Sequence, residues 1–194
     1  LGALWIARRV PDDHIAMIVR EPVGVVAAVT PWNFPLMISA WKLAPALLAG
    51  NAVIHKPAEQ SPLTALRTGE LALEAGIPPG ILNVLPGYGE TVGRALGRHD
   101  GVDAVAFTGS TEVGKLFLRY AGESNMKRVS AETGGKTPNI IFADAPDLDF
   151  AIGAVGFSIF WNTGEMCIAG SRLLVERPIY DEVVERVAAS AGSW

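Results

Sequence analysis

The sequence is poor in several things. It holds one cysteine, Cys167, so no disulfide can close within the chain and that sulfur has to be read as a thiol. Its three histidines, His14, His55 and His99, all precede Cys167, and none stands at a metal-ligand spacing from another. They are read as structural or surface residues. No apolar run approaches the length of a membrane-spanning helix. Runs such as 25–29 and 157–161 (the second broken by Ser158) suit a strand or a core helix. Neither sign of charge prevails: 16 Lys and Arg against 20 Asp and Glu leave −4, which gives no cationic field for nucleic acid or an anionic membrane. No repeat or low-complexity tract is visible. With 49% hydrophobic and 19% charged residues the chain is too apolar for disorder, and 194 residues suffice for one or two domains with a sizeable core. No basic-then-apolar leader opens the chain at Leu1, and Trp194 follows a helical pattern without a stop signal. The expectation is a fragment of a longer polypeptide.

What is present alternates. Strands are expected at 15–19, 23–29, 52–55, 81–85, 104–107, 127–131, 139–142 and 171–176. Helices are expected between most of them: 36–49 with a kink or restart at Pro45, a helix capped by Ser61 and running to Gly76, 90–98, one capped by Ser110 or Thr111, one opened by Asp147, and 181–189. Strand–helix alternation of this kind predicts an α/β fold, a doubly wound and mainly parallel sheet covered on both faces. The pattern breaks around 131–138, at Gly134, Gly135 and Pro138, where a domain boundary is expected.

Five segments carry residues fit for chemistry. Phe107-Thr108-Gly109-Ser110-Thr111-Glu112-Val113-Gly114 follows a strand and opens a helix, which suits a diphosphate on free backbone N–H groups or an ordinary capped turn. It lacks the G-x-G-x-x-G spacing. His55-Lys56-Pro57-Ala58-Glu59 ends a strand, where Lys56 and Glu59 can hydrogen-bond ribose hydroxyls or form a solvated loop. In Pro31-Trp32-Asn33-Phe34-Pro35 two prolines pin a turn whose one polar side chain, Asn33, can donate to an oxyanion or bond its own backbone. The Trp and Phe beside it predict a buried turn. Glu132-Thr133-Gly134-Gly135-Lys136 offers a general base or a surface carboxylate. Asn162-Thr163-Gly164-Glu165-Met166-Cys167 offers a nucleophilic thiol or a small buried apolar residue.

Taken in order, PWNFP, KPAEQ, FTGSTEVG, ETGGK and NTGEMCIAGSR resemble the NAD(P)-dependent aldehyde dehydrogenase superfamily over nearly the whole chain. The resemblance implies roles. Cys167 attacks the aldehyde, Asn33 with the Cys167 backbone N–H holds the thiohemiacetal oxyanion, hydride passes to the nicotinamide, and Glu132 activates the water that hydrolyses the thioester. Lys56 and Glu59 hold the adenosine ribose, Gly109 and Ser110 sit by the diphosphate and Val113 by the adenine. Thr30, Trp32, Gly89 and Gly93 line the cofactor cleft, and Thr133 joins the cofactor-binding set. The implied cofactor is NAD, with NADP open because Lys56 partly offsets the repulsion between Glu59 and a 2′-phosphate. The implied substrate is a small-molecule aldehyde, with no nucleic acid and no membrane, in a cytoplasmic homo-dimer or homo-tetramer of the full-length chain.

The resemblance also divides the chain: 1–21 as part of an oligomerisation segment, 22–132 as part of the NAD-binding domain, and 133–194 as the start of the catalytic domain. Relatives of roughly 500 residues imply missing parts at both ends and an isolated piece without turnover. Segments 122–129 and 142–148 resemble, within the superfamily, enzymes acting on γ-glutamyl-γ-aminobutyraldehyde. Two residues depart from the common pattern: Glu165, whose charge would oppose thiolate formation if it lay close to the sulfur, replaces a Gln, while Thr133 replaces a Leu. A cysteine hydrolase of the papain sort is disfavoured because no His follows Cys167, whereas cysteine-dependent esterase activity without cofactor stays open as a side reaction. A non-catalytic nucleotide-binding or assembly module stays open for the fragment, and a CoA-acylating relative is disfavoured by Glu132.

Overall fold

The computed structural model describes residues 5–6, 17–192 and 194. The expectations for 1–4 and 7–16 lie outside the described residues. The chain divides into two compact units, Leu1–Glu132 and Thr133–Trp194.

The first unit is built on β3 (Val25–Val29), the β-branched run that sequence alternation marks as a buried strand. Its apolar side chains go both ways. Ala27 and Val29 enter one core layer with Leu96, Val105, Phe107 and Phe117, whereas Ala28 enters another with Leu43 and Val53. A strand apolar on both faces needs helices on both, and these are present. On one side lie α1 (Pro35–Leu48) and α2 (Leu63–Glu74), on the other α3 (Arg94–Arg98) and α4 (Thr111–Gly122). With β4 (Ala52–Lys56), β5 (Leu82–Val84), β6 (Ala104–Gly109) and β7 (Arg128–Thr133), the sheet order is β5-β4-β3-β6-β7. The pairs β3–β4, β3–β6 and β4–β5 are parallel. The chain steps from β3 outward to β5, then returns to place β6 on the other side of β3. That reversal opens a crevice beyond the carboxyl ends of β3 and β6. Short strands β1 (Trp5–Ile6) and β2 (Met17–Ile18) pair antiparallel.

The second unit pairs β8 (Pro138–Ile141) with β9 (Arg172–Val175) in parallel and covers them with α5 (Leu148–Phe160) and α6 (Tyr180–Ala191). Ile141, Ile152, Val155 and Val183 form its core. Asp147 caps α5, its carboxylate accepting from the Phe150 N–H at 2.9 Å, as the sequence predicts. The fold is α/β with a mainly parallel, doubly wound sheet in its first unit, as expected.

Several local expectations differ. Helix α1 runs through Pro45 without a break; that residue is exposed, on a face where the carbonyl deprived of its donor can be hydrated. Ser61 does not cap α2, which starts at Leu63 behind a Pro62 already in helical geometry. The expected helix at 90–98 opens instead as a wide π-turn, Gly89–Gly93, before α3.

Candidate functional site

The parallel strands deliver their C-terminal residues to one cavity of about 470 Å³ in the first unit. β3 contributes Thr30 and Trp32 just beyond its end; β4 contributes Lys56, Glu59 and Gln60; the π-turn contributes Gly89 and Gly93; β6 and the start of α4 contribute Gly109, Ser110 and Val113. Each of the nine residues that the resemblance assigns to a cofactor in this unit therefore lines this one cavity. Thr133 lies elsewhere in the chain, at the end of β7 and exposed, the first residue of the second unit.

Lys56 differs from a solvated loop lysine. It is 3% exposed, donates from Nζ to the Pro57 carbonyl at 2.8 Å and lies 3.5 Å from the Glu59 carboxylate. Burial of an ammonium is costly unless it is paired, and this one is held by a carbonyl and a carboxylate. Glu59 itself is exposed at the cavity rim, free to take a second donor. Across the cavity Ser110 caps α4, its hydroxyl accepting from the Val113 N–H at 3.3 Å. Glu112 bonds its own backbone N–H and the Ser110 hydroxyl, which hold its carboxyl below the usual carboxylate range. An acid is thus already favoured at this helix start, where the exposed N–H groups concentrate positive potential.

The turn at 31–35 is less buried than expected. Trp32 is 45% exposed, and Asn33 is half-buried. The exposed ring belongs to the cavity wall, which accounts for an aromatic left uncovered by protein.

Glu132 is exposed near the end of β7. Sequence reasoning missed its neighbour Lys42, on α1. The Lys42 ammonium is pushed below its ordinary titration range by burial, and the Glu132 charge partly restores it. The signal was present as a lone cation nine residues beyond Asn33, but only the packing of α1 brings its charge to bear on β7.

In the second unit Cys167 is an exposed free thiol, not a buried apolar residue. The approach to it is strained. Asn162 and Thr163 take left-handed φ values of 50° and 54°, and Gly164 follows at 75°. For a β-branched Thr this conformation costs on the order of 1–3 kcal/mol and persists only where surrounding structure imposes it. The Cys167 carbonyl accepts from the Gly135 N–H at 3.2 Å, which ties the thiol segment to the glycine pair after Glu132. Gly170 is fixed there too, since a Cβ would fall 2.1 Å from the Asn139 amide nitrogen. Among the described residues no group of three or more His, Cys, Asp or Glu side chains could hold a metal, and no helix is long and apolar enough to cross a membrane.

Residues 5–194 match the aldehyde dehydrogenase family. The chain is 58% identical over 183 residues, 94% of its length, to the NADP/NAD-dependent aldehyde dehydrogenase PuuC of Escherichia coli (strain K12), of which it spans 37%. Among solved structures, an indole-3-acetaldehyde dehydrogenase complexed with NAD+ superposes with a TM-score of 0.96 at 58% identity, covering 99% of this chain and 39% of that one. A gamma-glutamyl-gamma-aminobutyraldehyde dehydrogenase from Burkholderia cenocepacia J2315 superposes with a TM-score of 0.94 at 55% identity, covering 100% of this chain and 39% of that one. With its ordered motifs, its cavity at the sheet reversal and these matches, the chain belongs to the aldehyde dehydrogenase family.

Proposed function

We propose that the protein carrying this chain oxidises an aldehyde to a carboxylic acid with NAD or NADP through a cysteine-bound intermediate. The observation that carries this reading is the cavity at the carboxyl ends of β3, β4 and β6, lined by the Lys56–Glu59 pair and by the start of α4. A dinucleotide needs a hydroxyl-binding rim, an anion site and apolar walls. Glu59 and Lys56, the Gly109–Ser110 backbone, and Val113 with Trp32 supply them in that order. When bound, the nicotinamide supplies the hydride acceptor. Glu59 favours the NAD ribose, and Lys56 leaves NADP admissible.

The chain's own groups do the rest. The Cys167 thiolate adds to the aldehyde carbon, and the carbonyl π electrons move to the oxygen as an oxyanion. The Asn33 amide and the Cys167 backbone N–H donate to that oxyanion, stabilising charge where it develops. Loss of hydride leaves a thioester on Cys167. Glu132 takes a proton from water, the hydroxide adds to the acyl carbon, and the thiolate leaves as the acid forms. Lys42, lowered by burial, is partly restored by the Glu132 charge, so a cation stands within electrostatic reach of that carboxylate.

The named relatives suggest the substrate: a γ-aminobutyraldehyde blocked by a γ-glutamyl group, or another amino-aldehyde. In this reading residues 1–21 belong to an oligomerisation segment, 22–132 to the dinucleotide domain and 133–194 to the start of the catalytic domain, within a cytoplasmic homo-dimer or homo-tetramer. The test is Cys167→Ala in the intact protein. Aldehyde-dependent NADH formation should vanish while NAD binding, followed by calorimetry, persists. Retained NADH formation would overturn the reading.

A further inference from the structure

His55 is wholly enclosed, on β4 immediately before the cavity residue Lys56. Its neighbours in the strand, Ile54 and Lys56, point to the opposite face, so the imidazole lies against α1 behind the cavity. Its Nε2 stands 3.1 Å from Thr30 Oγ1 and 3.0 Å from Ser39 Oγ. The Ser39 hydroxyl gives its own proton to the Pro35 carbonyl at 2.5 Å. A hydroxyl has one proton, so the Ser39 oxygen can only accept from the ring, and Nε2 must carry the hydrogen. Nδ1 is then a bare lone pair. It is buried with no hydrogen-bond partner, which costs less for a neutral acceptor than for an N–H. A second proton, on Nδ1, would be a charge without a partner, and burial pushes the imidazole down to about pKa 4.

Thr30 and Ser39 flank one segment. Thr30 is the residue after β3, and its N–H bonds the Lys56 carbonyl at 3.1 Å. Ser39 and Pro35 belong to the first turn of α1. Between them lie Pro31, Trp32, Asn33 and Phe34. One N–H therefore closes both ends of the turn that presents Trp32 to the cavity and carries Asn33.

We infer that His55, held as the neutral Nε2–H imidazole, is a positioning residue that clamps the 31–35 turn through Thr30 and Ser39 and so fixes the Asn33 amide. It touches no reacting atom. The clamp follows from the contacts of His55, whereas its effect on turnover rests on the aldehyde-oxidising reading above. A displaced oxyanion donor costs rate more than affinity, because its bond is made to charge present only after thiolate attack. The carboxamide nitrogen of Gln reproduces the reach of Nε2, and that of Asn reproduces Nδ1, so the two amides separate the donor from mere filling of space.

Three measurements on the intact protein decide the matter. Long-range 15N–1H spectra of 15N-histidine-labelled protein at pH 7 should show His55 as the Nε2–H tautomer; the Nδ1–H tautomer would overturn the clamp. The side-chain amide resonance of Asn33, assigned with Asn33→Asp, should be shared by the parent and His55→Gln and displaced in His55→Leu and His55→Asn. An unchanged resonance in His55→Leu would also overturn it. In turnover, His55→Leu and His55→Asn should lose about 10-fold in kcat with the dinucleotide KM within about twofold, and His55→Gln should recover most of the loss. Equal losses in all three, tracking melting temperature, would mean a structural role only and sink the inference. Absence of NADH formation by the parent would refute the oxidation reading, while the two spectroscopic measurements still judge the clamp.

Discussion

Lys56 Nζ lies 3.5 Å from the Glu59 carboxylate and is almost fully buried, while Glu59 faces the cavity rim. The lysine is fixed from within the protein; the glutamate keeps a side open to a ligand. Replacing Glu59 with Gln removes the charge that opposes a 2′-phosphate and keeps a hydroxyl partner. The expected outcome is a rise in the NADP-to-NAD preference of about 10-fold, read from kcat/KM for each dinucleotide. An unchanged ratio would remove Glu59 from the ribose site.

Asn33→Ala in the intact protein should lower kcat by about 10²–10³ with little change in dinucleotide KM, because an oxyanion donor acts on charge absent from the ground state. Steady-state kinetics check this. A loss confined to KM would assign Asn33 to binding.

Glu132→Gln should leave the first half-reaction and slow the second. Rapid mixing with aldehyde should show a burst of NADH close to one equivalent per thiol, then turnover slowed about 10²-fold. With its carboxylate gone, Lys42 loses the charge that raises its titration, so its pKa should fall further. A slow phase without a burst would move the role of Glu132 to an earlier step.

His55 titrates at about 4 in the folded protein, lowered first by burial and then by the Lys56 charge, against an ordinary 6.5. Between those values the unfolded chain binds the proton and the folded one does not. Stability is therefore full above pH 6.5 and falls as pH drops toward 4, by about 3 kcal/mol from this group. Denaturant midpoints across that window should decline in the parent and decline less in His55→Gln. Equal slopes would place the acid sensitivity in other groups.

Phe117, on α4, is buried against β6, its ring 5.2 Å from that of Phe107 and edge-on to Tyr120 at 6.2 Å. Phe117→Ala should cost about 3–5 kcal/mol of stability, measured by chemical denaturation. Because the ring also backs the cavity, dinucleotide affinity should fall with it.

The sequence by itself determined the element order and the chemistry on offer. Runs such as 25–29, apolar in every residue, have no stable place but a strand covered on both faces. Ser110 and Asp147 each precede a helical pattern, where a side-chain oxygen satisfies an orphan N–H. The ordered motifs around Asn33, Lys56, Gly109, Glu132 and Cys167 were likewise legible, because each is local and they follow one another in a fixed order. Only the tertiary structure decided what depends on contacts between distant segments. Lys56 reads as a surface lysine until the sheet buries it, and Trp32 reads as core until the cavity leaves its ring open. Lys42 acquires a partner through the packing of α1, and His55 becomes a clamp because Thr30 and Ser39, 25 and 16 residues away, converge on one nitrogen. Burial, charge pairing and hydrogen-bond direction are properties of neighbours in space, and a linear pattern carries them only where those neighbours are also close in sequence.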